Sequence, residues 1–140
     1  MSKWIIVSDN HTESGVLYQI YEMHPDADVY LHLGDSEFAY DDTELSLFNR
    51  VKGNCDFYPE FENEAVAKYN DVKAFYTHGH THVAKYEYIN GVHVINPGSI
   101  SQSRSSMEET YAEVIIDDQT LHGTINFKNR HHETISHTTF

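Results

Sequence analysis

Three histidines stand on alternate positions of the stretch THGHTH, residues 77–82. Imidazole rings do little for a hydrophobic core, but they are common ligands of transition metals. His78, His80 and His82 are therefore candidates for a metal site, and such a site needs further ligands from elsewhere in the chain.

Other polar clusters follow predicted strands at the points where those strands end. SDNH (8–11), LGD (33–35) and GNCD (53–56) follow the first three strands, THGHTH follows the next, and NPGS (96–99) follows a hairpin. In open α/β sheets ligands bind beyond the carboxyl ends of the strands, so these clusters should converge at one edge. Together they offer oxygen and nitrogen ligands suited to Mn²⁺, Fe or Zn²⁺: Asp9, His11, Asp35, Asn54, His80 and His82.

Each of these residues also has an ordinary structural explanation. Taken alone, Asp9 or Asp35 would be a helix cap or a turn residue, and Asn54 would be a turn residue. The occurrence of all six at strand ends favours the metal site. The remaining histidines have no such setting, and we expect them to be structural or solvent-facing: His24, His32, His93, His122, His131, His132 and His137.

The hydrophobic pattern predicts the elements that must position these clusters. Strands are predicted at 3–7, 28–33, 51–52 and 71–77. Helices are predicted at 13–23 and 41–49, whereas 60–70 fits either a helix or a strand. Two hairpins follow, 83–96 around Asn90-Gly91 and 110–127 around Asp117-Asp118, and the polar tail is either weakly ordered or an edge strand. This order predicts one domain, residues 1–140, with an α/β first half and a β-rich second half.

The composition is that of a folded protein, with 39% hydrophobic and 13% aromatic residues. The net charge of −13 disfavours binding to nucleic acid or to anionic membranes. No apolar run approaches the roughly 20 residues that span a bilayer, and the first residues resemble no signal peptide. The single cysteine, Cys55, excludes an internal disulfide framework, so we expect a cytoplasmic location.

The ordered clusters resemble the motifs of the calcineurin-like metallophosphoesterase superfamily. The matching motifs are Asp9-x-His11, Gly34-Asp35, Gly53-Asn54 and Gly79-His80-Thr81-His82. GNCD and INPGS resemble its small bacterial phosphodiesterase group, and the resemblance runs from Lys3 to about Phe127. It implies a two-sheet α/β sandwich with four layers in the order αββα, and a dinuclear metal site at the C-terminal ends of the strands.

The resemblance also implies a reaction and a role for each candidate ligand. Carried over by position, the ligands are Asp9, His11 and His82 for the first metal, Asp35 as the bridge, and Asn54, His80 and, as a further candidate, His78 for the second. The ions would be divalent, Mn²⁺ in first place and Fe, Zn²⁺ or Ni²⁺ as alternatives. A hydroxide between two ions about 4 Å apart would attack a small phosphate ester, in particular a phosphodiester.

One departure from the family concerns the residue after the asparagine. Many relatives have a histidine there that acts as an acid near the leaving group, whereas this chain has Cys55. A thiol with a pKa of about 8.5 suits that task poorly. By their position in the motif, Asn54 and Cys55 are the candidate catalytic residues. The simpler explanation of Cys55 is a small buried side chain.

A second departure concerns the histidines. The family has two separate histidine motifs, which here share Gly79-His80. A crossover between parallel strands needs about a dozen residues or more. Compared with the family, a segment is therefore missing near 79–82. Either the protein has lost this segment, or the protein has it and the sequence lacks it. In the second case, which we favour, His78 should lie beside Asn54 and bind the second metal. In the first, His78 should turn away.

The main alternative to a phosphoesterase is a non-catalytic scaffold or interaction protein on the same fold, as a retromer subunit of this fold is thought to be. The retained ligand residues favour the enzyme. A histidine-rich metal-storage protein would explain neither Asn54 nor the NPGS turn. The expected partner is a small phosphate ester, with no nucleic-acid surface and no membrane, and the aromatic residues of YEYINGVHV (86–94) are compatible with a homodimer.

Overall fold

The computed structural model describes residues 1–79, 81–101 and 108–140. Within them the chain forms ten strands and the helix α1, Val16–Met23. The strands are β1 Ser2–Val7, β2 Val29–His32, β3 Asn49–Arg50, β4 Glu64–Tyr69, β5 Val72–Thr77, β6 Lys85–Ile89, β7 Val92–Asn96, β8 Tyr111–Ile116, β9 Gly123–Lys128 and β10 Thr134–Thr139. The fold is mixed α/β and dominated by sheet. In this part of the chain no helix is long and apolar enough to span a membrane.

Six strands form one mixed sheet in the order β10-β9-β8-β1-β2-β3. β1 pairs in parallel with β2, and β2 with β3, whereas β8 is antiparallel to β1. Because β1, β2 and β3 run in the same direction, their C-terminal ends lie at one edge of the sheet. The clusters SDNH, LGD and GNCD follow these three strands and therefore start from that edge.

Two hairpins form separate two-stranded sheets, β4 with β5 and β6 with β7. The predicted turn at Asn90-Gly91 joins β6 to β7, and its two residues have φ values of 50° and 79°. A type I′ turn requires positive φ at both of these positions. The hairpin prediction for 83–96 is therefore confirmed.

Both faces of the large sheet are covered by other elements. Alternate residues of β1 point to opposite faces, so this strand contributes to two cores. Ile5 and Val7 pack with the buried face of α1. Trp4 and Ile6 belong to a second core, against which both hairpins pack. The described residues thus form a helix layer, a sheet layer and a hairpin layer. The outer helix layer of the αββα order stays a prediction, and several apolar side chains of the hairpins are exposed: Val66, Phe75, Tyr88, Ile89, Val92 and Val94.

Some predicted boundaries are wrong. α1 begins at Val16 rather than at residue 13, and the buried Glu44 carboxylate accepts the Gly15 and Leu17 N–H groups at its start. The predicted helix 41–49 is only a 3-10 turn, Leu45–Leu47, because the backbone becomes extended at Phe48, where the chain enters β3. The third strand lies at 49–50 rather than 51–52. The ambiguous segment 60–70 contains β4, and the tail forms the edge strand β10.

Candidate metal centre

Four predicted ligand residues meet beyond the ends of β1 and β2. The ligand atoms of Asp9, His11, Asp35 and His82 all lie within 4.8 Å of one another. Asp9 Oδ1 is 3.1 Å from His82 Nε2 and 3.3 Å from His11 Nε2. We call Asp9, His11 and His82 the first corner of the site.

A second corner, formed by Asn54 and His78, lies next to the first. His78 Nε2 is 3.1 Å from Asn54 Oδ1, 3.2 Å from Asp35 Oδ2 and 3.8 Å from Asp9 Oδ1. The Asp35 carboxylate therefore lies between the two corners. His78 lies beside Asn54, and the segment missing near 79–82 stays a prediction. His80, the other predicted ligand of the second metal, lies outside the described residues.

The histidine tautomers prepare both corners for a cation. His78 Nδ1 lies 2.7 Å from the Leu33 carbonyl oxygen, which can only accept, so Nδ1 carries the proton. His78 Nε2, the other ring nitrogen, faces the oxygens of Asn54 and Asp35, where it can bind a metal ion when it carries no proton. His11 Nδ1 likewise lies 3.0 Å from Glu37 Oε2, and its Nε2 points toward Asp9. A ring nitrogen this close to an acceptor oxygen requires either a proton or a metal ion between the two atoms.

Burial supports the metal interpretation. Asp9 Oδ1 and His11 Nε2 are buried and have no hydrogen-bond partner among the described residues, although buried polar atoms nearly always have one. Burial also raises the pKa of the Asp9 carboxyl above its ordinary value. A cation would compensate for this cost. The set of carboxylate, imidazole and amide donors fits Mn²⁺, Fe or Zn²⁺.

The backbone is strained at these ligands. Asp9, His11, Asp35 and His82 have φ values of 61°, 41°, 59° and 57°. This left-handed region is uncommon for residues other than glycine and costs about 1–3 kcal/mol at each position. Hydrogen bonds hold it in place, since Asp9 N donates to Gly34 O and His11 N to Asp35 O, both at 3.0 Å. Such strain is typical of functional sites.

The NPGS cluster supports Asp9 rather than supplying a ligand. The Asp9 carbonyl oxygen accepts hydrogen bonds from Ser99 Oγ at 3.0 Å and from Ser101 Oγ at 2.7 Å. Ser8 Oγ donates to Asp9 Oδ2 at 2.7 Å. Only Asp9 Oδ1 is then left to face the histidines of the two corners.

Sequence reasoning missed two carboxylates. Asp56 accepts hydrogen bonds from the backbone N–H groups of Asp35, Gly53 and Glu37, each at 2.8 Å. Its place after Gly53 is a signal for such a turn, because Asp side chains often accept backbone N–H groups nearby. Glu37 gives no local signal, because its contact with His11 joins residues 26 positions apart. Gly53 itself is required, since a Cβ there would overlap the Asp35 carboxylate.

Cys55 contributes through its backbone. Its N–H donates to Asp35 Oδ1 at 2.7 Å. Cys55 is half-buried rather than buried, and its thiol borders the site, 3.7 Å from the Asn54 amide nitrogen. Burial raises the pKa of the thiol, and the Asp35 charge raises it further. The metal-free protein therefore carries a protonated thiol at neutral pH.

An open cavity of about 420 Å³ adjoins the second corner. Its lining is mostly polar: Lys52, Gly53, Asn54, Asp56, Asn63, Thr77 and His78. The cavity gives a polar ligand access to Asn54 and His78.

Comparisons with known proteins agree with this geometry. The family model for the calcineurin-like phosphoesterase superfamily domain matches residues 58–119. A probable metallophosphoesterase of Bacillus subtilis (strain 168), YsnB, is 29% identical in an alignment that is 151 residues long. The alignment covers 88% of this chain and 88% of the relative. That alignment is longer than the 140-residue chain, so the relative carries residues without a counterpart here.

Solved structures show the same fold. A conserved uncharacterised protein of Streptococcus pneumoniae TIGR4, a predicted phosphoesterase, matches with a TM-score of 0.91 and 27% identity over 99% of this chain and 97% of its own. Wild-type Vps29 of Entamoeba histolytica in complex with zinc matches in fold, with a TM-score of 0.70 and 17% identity over 99% and 98% of the two chains. The predicted resemblance to the calcineurin-like superfamily is thus confirmed.

Proposed function

We propose that this chain, a relative of the calcineurin-like phosphoesterases, hydrolyses phosphodiesters with two divalent metal ions held at the two corners. The observation that carries the proposal is the position of His78 Nε2, which lies 3.1 Å from Asn54 Oδ1 and 3.2 Å from Asp35 Oδ2. His78 and Asn54 thereby form a second set of candidate ligands beside the group around Asp9. The Asp35 carboxylate is within reach of both corners.

Each residue has a defined task in this proposal. Asp9, His11 and His82 would hold the first ion, Asn54 and His78 the second, and Asp35 would bridge them. Bound there, the ions would lower the pKa of a water molecule and neutralise charge on the phosphoryl oxygens. Asn54 is neutral, so the second corner keeps more net positive charge toward an anionic ester. Lys52 adds positive charge to the cavity through which that ester would enter.

The experiment combines metal analysis with two aryl esters. Protein treated with a chelator is reloaded with Mn²⁺, Fe²⁺, Zn²⁺ or Ni²⁺, and its metal content is measured by elemental analysis. We expect two ions per chain, and faster hydrolysis of bis(4-nitrophenyl) phosphate than of 4-nitrophenyl phosphate, with Mn²⁺ the most effective ion. Metal-loaded protein that hydrolyses neither ester would contradict the proposal.

A second candidate function is an interaction scaffold. Exposed apolar side chains on the hairpins, such as Val66, Phe75 and Tyr88, favour contact with another protein, and the fold is shared with Vps29. Replacing the chromosomal copy with Asp35→Asn separates the two functions. A scaffold role should survive this change, whereas a role in hydrolysis should not.

Further parts of the sequence interpretation stay predictions. These are the ligand role of His80, the segment missing near 79–82, the single domain over 1–140, a cytoplasmic location and a homodimer. Sequencing the encoding gene decides the missing segment: an insertion between Thr77 and Val83 would support it.

A further inference from the structure

The Asp56 carboxylate joins the two loops that carry the ligands of both corners. Its Oδ2 accepts the N–H groups of Asp35 and Gly53, and its Oδ1 accepts that of Glu37. The residue is only 4% exposed, so water competes little for these bonds. One buried side chain thereby fixes the backbone at the bridging Asp35 and immediately before Asn54.

A line of contacts continues from Asp56 into the first corner. Glu37, whose N–H is held by Asp56, accepts the Nδ1 hydrogen of His11 through Oε2 at 3.0 Å. Glu37 has a φ of 58°, a conformation that needs support from its surroundings. The bond to Asp56 gives that support, so the orientation of His11 depends on Asp56 through Glu37.

We propose that Glu37 and Asp56 are positioning residues for metal binding, with different reach. Glu37 acts on the first corner alone, by fixing the tautomer and orientation of His11. Asp56 acts on both corners, because it also holds Asp35 and Gly53. The inference rests on the proposed function, since it requires an ion at each corner.

Calorimetric titration of the metal-free protein with Mn²⁺ tests this without any turnover. Glu37→Ala should weaken one of two ions by roughly 10–100-fold, the usual cost of removing an outer carboxylate partner of a metal ligand. Glu37→Gln should recover part of that loss, because an amide oxygen still accepts from His11 Nδ1. Asp56→Asn should weaken both ions. With Co²⁺ in place of Mn²⁺, the visible absorption of one ion should change in Glu37→Ala and that of both in Asp56→Asn.

Asp117→Asn is the matched control. The Asp117 carboxylate also accepts two backbone N–H groups, from Gln119 at 2.9 Å and Thr120 at 3.2 Å, in the turn after β8. The C-terminal end of β8 pairs with the N-terminal end of β1, so the turn lies at the end of β1 that is away from the metal centre. Asp117→Asn should bind both ions as the wild-type protein does.

The outcomes separate this inference from the proposed function. Wild-type affinities for two ions in all Glu37 and Asp56 variants would overturn the inference and leave the proposed function intact. Wild-type protein that binds no divalent ion would overturn both. Should Asp56→Asn fail to fold, the Glu37 variants decide: equal loss at both ions, or no recovery with Glu37→Gln, would overturn the assigned roles.

Discussion

The first corner is enclosed by protein, whereas the second faces the open cavity. Asp9 is 2% and His82 6% exposed, and three serine hydroxyls bind Asp9. In the second corner the His78 ring is covered, but Asn54 is exposed, and its amide nitrogen makes a long contact with Cys55 Sγ, at 3.7 Å. The first corner is thus suited to holding an ion, and the second to meeting a substrate.

Charge sharpens the same contrast. The first corner has the carboxylate of Asp9 in addition to its share of Asp35, whereas the second has the neutral amide of Asn54. A carboxylate attracts a divalent cation more strongly than an amide does, and buried charges are screened less. We therefore expect the first ion to be bound more tightly and the second to exchange more readily.

The largest effect should come from Asp35, which the two corners share. Asp35→Asn removes the negative charge between them and should lower hydrolysis by more than about 100-fold, beyond the usual cost of losing an outer partner. Metal content should fall below two ions per chain by elemental analysis. A stoichiometry that stays at two would contradict the bridging role.

Single histidine variants should separate the corners. His78→Ala should lose the weaker ion and keep the tight one, whereas His82→Ala should lose the tight class of binding. Calorimetric titration with Mn²⁺ gives the binding isotherm of each variant, and the two isotherms should differ in affinity. Identical isotherms for the two variants would show that the corners do not differ as their burial and charge imply.

A smaller effect is expected at Cys55, which borders both Asn54 and Asp35. Cys55→Ser keeps the backbone N–H that binds Asp35 and removes a thiol that is protonated at neutral pH. Hydrolysis of bis(4-nitrophenyl) phosphate should stay within roughly threefold of wild type. Complete loss of activity, with fold and metal content unchanged, would argue for a required thiol.

Acid should reduce the stability of the metal-free protein through the buried His24. Burial and then the charge of Lys3 lower the pKa of His24 from 6.5 to about 4. Between these values the unfolded chain binds a proton that the folded protein does not, so the free energy of unfolding of the metal-free protein should fall as pH decreases from 6.5 to 4. Urea denaturation across this range measures the slope.

His24→Gln provides the control for that titration. The variant should show a shallower decrease in unfolding free energy, while its affinities for both metal ions at neutral pH stay at wild-type values. An unchanged slope would assign the acid sensitivity to other groups, such as the buried His32, whose pKa burial lowers to about 3.

The sequence by itself determined most of the elements and the types of the ligands. β1, β2, β5 and both predicted hairpins follow from local apolar patterns and turn residues, which need no information about distant parts of the chain. The clusters after the strands could be identified as candidate ligands for the same reason. The helix predicted at 41–49 failed because the backbone becomes extended at Phe48, where the chain enters β3 and pairs with the distant β2.

Only the tertiary structure decided which of these groups meet. THGHTH made each of its histidines a candidate, but the hydrogen bond of His78 Nδ1 to the Leu33 carbonyl holds His78 beside Asn54. Glu37 reaches His11 across 26 positions, and Ser99 reaches the Asp9 carbonyl across 90. No local pattern encodes such contacts, because they arise when the segments after β1, β2, β3, β5 and β7 are brought together. The backbone strain at the ligands has the same origin, since surrounding hydrogen bonds, rather than local preference, hold those residues at positive φ.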